Sequence, residues 1–95
     1  MAPLALLFAL VAGCGGGASY DVTVRFDESV QDADLQAVER VIKRYDGDAD
    51  VLLLESFPPI LKARVRTDAG DFCAKLTRDL EEMPPVSGVD CTKAY

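Results

Sequence analysis

From Leu61 to Arg66 apolar and basic side chains alternate without a break: Leu61, Ala63 and Val65 against Lys62, Arg64 and Arg66. Successive side chains of a strand point to opposite faces, so this pattern demands a strand with one dry face and one wet face. Such a strand belongs in a sheet that is covered on one side only. Tyr20, Val22, Val24 and Phe26 alternate with Asp21, Thr23 and Arg25 in the same manner, which predicts a second half-buried strand.

The remaining periodicity fills in the order. Ser29 to Asp34 supplies capping candidates, including Ser29-x-x-Asp32, ahead of a helix with Leu35, Val38, Val41, Ile42 and Tyr45 on one face. Asp46-Gly47 is expected to stop it, with the glycine in the left-handed cap conformation. Residues 51–55 read as a strand, and Phe57-Pro58-Pro59 ends it, since proline cannot donate to a sheet ladder. The strand over 60–66 follows. Thr67 or Asp68 is expected to cap a second helix with Ala69, Phe72, Cys73, Leu76, Leu80 and Met83 inward, closed by Pro84-Pro85. Residues 86–91 read as a short last strand, and Thr92 to Tyr95 as a tail. The order β-α-β-β-α-β, with right-handed crossovers, predicts an α+β ferredoxin-like sandwich: a four-stranded antiparallel sheet with both helices on one face. No internal repeat is evident.

Composition narrows function. The chain has 95 residues, room for one small domain, and its 16 acidic and 10 basic side chains all lie from Tyr20 onward. A net charge of −6 argues against a nucleic-acid partner, which requires a surplus of Lys and Arg. There is no His, so neither a Ser-His-Asp relay nor a His-ligated metal can be built. The acids Asp32, Asp34, Glu39, Asp79, Glu81 and Glu82 read as solvated helix surface, with Glu39 and Lys43 an i,i+4 pair. No convergent acid pair is visible. The expectation is therefore a non-enzyme without cofactor or metal.

Residues 1–12 form an apolar run too short for a bilayer, which takes roughly 20 residues, but suited to a secretory signal. Val11-Ala12-Gly13-Cys14 resembles the lipobox of bacterial lipoproteins, although no Lys or Arg precedes the apolar run. The resemblance implies cleavage after residue 13, a lipid on Cys14 and a location in the cell envelope; Gly15 suits the outer membrane if the cell has two. An ordinary secretory signal that happens to contain a cysteine is the alternative. Gly15-Gly16-Gly17-Ala18-Ser19 has the composition of a flexible tether. The expected division is thus a signal segment over 1–13, lipidated Cys14 and tether over 14–19, and the folded domain over 20–95, joined to a membrane by lipid alone.

Cys73 lies on the inner helix face, and Cys91 shares strand parity with the inward Val89. A Cys73–Cys91 bridge is sterically plausible and suits an exported chain, with two free buried thiols as the alternative. A domain of this size buries only about 60% of its unfolded surface, so a brace is useful.

The placed elements resemble the propeptide and inhibitor family of subtilisin-type serine proteases. The resemblance rests on Tyr20-Asp21-Val22-Thr23-Val24-Arg25-Phe26, on Gly47 after the first helix, on Leu61-Lys62-Ala63-Arg64-Val65, and on Leu80-Glu81-Glu82-Met83-Pro84-Pro85-Val86-Ser87-Gly88-Val89-Asp90. It implies that Thr92, Lys93, Ala94 and Tyr95 lie extended in a protease cleft, with Tyr95 in an apolar pocket, and that the partner is a subtilisin-like protease. The tail is shorter than the family's. Arg25, Lys62, Arg64 and Arg66 should form a basic stripe on the outer sheet face, where the family carries acids. That stripe reads as a contact surface for an acidic protein partner or as a solvated face, and one of the pairs Leu52/Leu54 and Val51/Leu53 must also face outward. Two functions follow: lipid-anchored inhibition of a subtilisin-type protease by tail insertion, or a non-enzymatic envelope module that binds a protein through its open sheet.

Overall fold

The computed structural model describes residues 17–94; the segment 1–13 expected to be a signal, Cys14 and Tyr95 lie outside them. The elements are β1 (Ala18–Phe26), α1 (Asp32–Tyr45), β2 (Asp50–Leu54), β3 (Ile60–Thr67), α2 (Phe72–Glu81) and β4 (Val86–Lys93). They form one four-stranded sheet in the order β2-β3-β1-β4, with every neighbouring pair antiparallel. This is the ferredoxin-like arrangement. The two strictly alternating segments, β1 and β3, occupy the centre, where each is flanked on both sides and one face of each is buried.

The core lies between that face and the helices. Val22, Val24 and Phe26 of β1 and Leu61, Ala63 and Val65 of β3 meet Val38 and Ile42 of α1 and Phe72, Leu76 and Leu80 of α2. Phe72 is fully buried and touches two tyrosines, with ring centroids 5.0 Å from both Tyr20 and Tyr45. It therefore joins β1, α1 and α2 at one point. The Tyr45 hydroxyl donates to Asp79 at 3.3 Å, a second link between the helices. Burial, then the adjacent Asp79 charge, push the Tyr45 hydroxyl's pKa up. Cys73 and Cys91 are joined as a disulfide, which ties α2 to the edge strand β4 across a sequence separation of 18.

Several boundaries differ from expectation, each for a local reason. Ser29 does not cap α1; its N–H and hydroxyl both bond to Asp27, holding a turn. Those two bonds, hydroxyl first, hold the Asp27 carboxyl below its usual range. Gln31 is the N-cap instead, and its N–H donates to Asp34 Oδ2 at 2.9 Å. Gly47 does not take the left-handed cap; among the described glycines only Gly17 has positive φ. Asp46 ends α1 by turning extended, and its carboxylate accepts the N–H groups of Asp48 at 3.0 Å and Arg66 at 2.9 Å. Neither Thr67 nor Asp68 caps α2. Thr67 completes β3, its hydroxyl accepts the Ala69 N–H at 3.2 Å, and the helix starts at Phe72 behind Asp71. Gly70, a poor helix former, lies in the turn between them. Ala69 and Met83 still pack on the core, from outside the helix.

Candidate functional site

With both helices on one side, the other face of the sheet has no element over it among the described residues. Strand register arranges its side chains in rows. Asp50, Arg64, Asp21 and Thr92 form one row across β2-β3-β1-β4; Leu52, Lys62, Thr23 and Asp90 form the next. The third is Leu54, Ile60, Arg25 and Gly88. Except for the partly covered Thr23, Ile60 and Gly88, these side chains are exposed. A shallow depression lined by Asp21, Thr23, Asp50, Leu52, Lys62 and Arg64 lies at the middle of the face.

The expected basic residues do share this face, but they do not make a uniform stripe. Arg64 lies opposite Asp21, and its Nε and Nη2 both reach Asp21 Oδ1 at 2.9 Å. Arg25 reaches diagonally onto β4 to pair with Asp90. Gly88 opposite Arg25 leaves the room: a Cβ there would stand 2.9 Å from the guanidinium. The Arg25 hydrogen bond, and then its charge, hold the Asp90 carboxyl below its usual value. The same pairing raises the Arg25 pKa further. Lys62 and Arg66 carry no ion pair among the described residues. The stripe is thus corrected to a mixed lattice, because parity places Asp21, Asp50 and Asp90 outward beside the bases. Sequence reading missed Asp21 and Asp90 as members. Their signal was their outward parity, which becomes informative only once the register is known.

The predicted tail is also corrected. Thr92 and Lys93 belong to β4, paired with Asp21 and Tyr20 of β1. The Ala94 N–H donates to the Ser19 carbonyl at 2.7 Å. At the other end Ala18 and Ser19, expected in the tether, are already in β1 opposite Thr67 and Arg66. Backbone pairing runs on at both ends because it needs no apolar side chain. Of the four residues expected to be loose, only Ala94 and Tyr95 lie beyond the strand, and Tyr95 is outside the described residues.

Apolar side chains gather at one margin. On β2, Leu52 is 58% exposed, Leu53 40% and Leu54 37%, and Phe57 in the following loop is 78% exposed. Leu52 and Leu54 are the outward pair. No group of three or more Cys, Asp or Glu side chains among the described residues is placed to hold a metal ion. No described helix is long and apolar enough to cross a membrane.

No protein-family model matches the chain, and no curated protein matches its sequence. Among solved structures, the chain is similar to the P2 domain of the chemotaxis kinase CheA from the thermophile Thermotoga maritima, solved in complex with the response regulator CheY. The TM-score is 0.60 at 14% identity, over 83% of this chain and 100% of that one. At that identity the likeness speaks to the ferredoxin-like fold alone, and nothing in these comparisons extends to subtilisin propeptides or to lipoproteins.

Proposed function

We propose that the domain is a non-catalytic interaction module that docks a protein partner on the bare face of its sheet, held at a membrane surface by lipid on Cys14. The observation that carries the reading is the mixed lattice itself. Alternating Asp21, Arg64, Asp90 and Arg25, with Lys62 beside them in no ion pair among the described residues, offer a patterned charge surface. Such a surface selects a partner with complementary groups and steers its approach. The similar domain supports the same direction, since it too is a small ferredoxin-like unit, solved in complex with a protein. The lipid anchor is supported by Val11-Ala12-Gly13-Cys14. The subtilisin reading draws on the same open face, but Thr92 and Lys93 of the tail it requires are paired in β4 and the Ala94 N–H is bonded to Ser19.

The test is co-purification of the full chain from membranes after cross-linking. Charge reversal by Lys62→Glu and Arg64→Glu should weaken recovery of the partner by about tenfold or more, because reversed charges repel the matching groups. Deletion of Ala94 and Tyr95 should leave recovery unchanged. The reverse pattern, together with inhibition of a subtilisin-type protease that the deletion abolishes, would replace this reading with tail insertion. Labelling with radioactive palmitate, lost in Cys14→Ser, tests the anchor.

A further inference from the structure

The edge strand β2 offers a second surface, the backbone edge at the margin of the bare face. Strand edges carry a row of unpaired backbone groups, and proteins guard them with Lys, Pro, bulges or charge. Asp50-Val51-Leu52-Leu53-Leu54 has no Lys, no Pro and no bulge, and its only charge stands at the first position. Both faces of the strand are apolar, with Leu52 and Leu54 on the bare side and Val51 and Leu53 toward the helices. α1 packs on β3 and α2 rather than squarely on β2. It leaves a groove at the margin lined by Leu35, Val51, Leu53 and Leu61 and bordered by Asp32 and Glu39.

We infer that this edge pairs with the β2 edge of a second copy of the chain, antiparallel about Leu52. The three central positions, Val51, Leu52 and Leu53, are self-complementary in that register. Leu52 meets Leu52 of the second copy, Val51 meets Leu53, and Asp50 meets Leu54. A two-fold axis perpendicular to the sheet keeps the bare faces together and the helices on the same side, as an isologous contact requires. The two margin grooves then close on each other, and Leu53 of each copy is covered. Charge along α1 agrees with this pairing. Asp32, Gln36 and Glu39 border the margin, and Lys43, one turn on at the same helical spacing, is paired to Glu39 at 3.2 Å, so the acidic end of this rail is Asp32 and its basic side chain stands at the other end. Antiparallel apposition sets the Asp32 end of one copy against the Lys43 end of the other. A parallel arrangement would oppose like charges.

Cysteine cross-linking of the full chain in its membrane tests the register. Leu52→Cys should link two copies about tenfold more efficiently than Leu54→Cys, whose partners lie several residues apart along the strands, or than Thr23→Cys at the centre of the bare face. A bis-maleimide in place of oxidation should give the same ranking and leave Cys73–Cys91 intact. Adding Asp32→Lys should lower the Leu52→Cys yield, and further adding Lys43→Asp should restore it. Equal yields at positions 52, 54 and 23, no linked dimer, or an adduct between Leu52→Cys and a different protein would each overturn the self-pairing. Leu52, Leu54, Asp32 and Lys43 are exposed and Thr23 lies on the bare face, so none of these variants disturbs the core.

Discussion

The two edges of the sheet are built in opposite ways. β4 is polar along its length, with Ser87, Asp90, Thr92 and Lys93 exposed, and it is fastened from both sides. The Cys73–Cys91 bridge ties its inner face to α2, and the Arg25–Asp90 pair ties its outer face to β1. β2 has three exposed leucines and, among the described residues, neither an ion pair nor a bridge, and the helix beside it leans toward β3. A guarded and braced edge is finished within the chain. An apolar, unbraced edge has surface left to bury, which is the physical content of calling it an interface.

The largest expected effect removes the joint between the sheet centre and the two helices. Phe72→Ala should destabilise the domain by about 3–5 kcal/mol, the range for emptying a buried aromatic site, as read by urea unfolding. A loss under about 1 kcal/mol would mean that the Tyr20–Phe72–Tyr45 cluster does not organise the core. Next, Cys73→Ala with Cys91→Ala should lower stability by about 3 kcal/mol through the released loop of the unfolded chain. Hydrogen exchange should then show β4 opening more readily than in the parent chain. If β4 protection is unchanged, the bridge is not what makes this edge rigid.

Acid should loosen the same edge more gently. Asp90 is held below its ordinary value of 3.8, so the stabilisation is fully present above that value and fades as pH falls through the lower folded one. Carboxyl NMR should place the Asp90 titration below 3.8, and Arg25→Ala should return it toward that value. An unmoved Asp90 would deny that Arg25 is the cause. The smallest effect belongs to the other margin. Leu52→Lys should change monomer stability by no more than about 0.5 kcal/mol in urea, since the site is exposed. A much larger loss would show that Leu52 is buried within one chain rather than available to a second.

Legibility followed how local each cause was. Leu61, Ala63 and Val65 against Lys62, Arg64 and Arg66 named both faces of β3 correctly, because alternation is a property of the strand itself. Phe72, Leu76 and Leu80 named the buried face of α2 for the same reason. Cys73 and Cys91 could be paired from parity plus element order. Where two local options competed, the reading failed. Ser29 could cap a helix or join an Asp27 turn, and Asp46 could yield to Gly47 or accept N–H groups itself, one of them from Arg66 of β3. The basic stripe and the loose tail failed on long-range pairing. Asp21 reaches Arg64 and Thr92 reaches Asp21 only through strand register, which no single segment encodes.

Element order, inner faces and the outward placement of Arg25, Lys62, Arg64 and Arg66 were therefore determined by sequence alone, through side-chain periodicity and the short connections between elements. The neutralisation of Arg25 and Arg64, the length of β4 and the exposure of the β2 leucines were decided by tertiary structure. These depend on which strands become neighbours and how the helices lean, and such choices are made only when distant segments bury their apolar faces together.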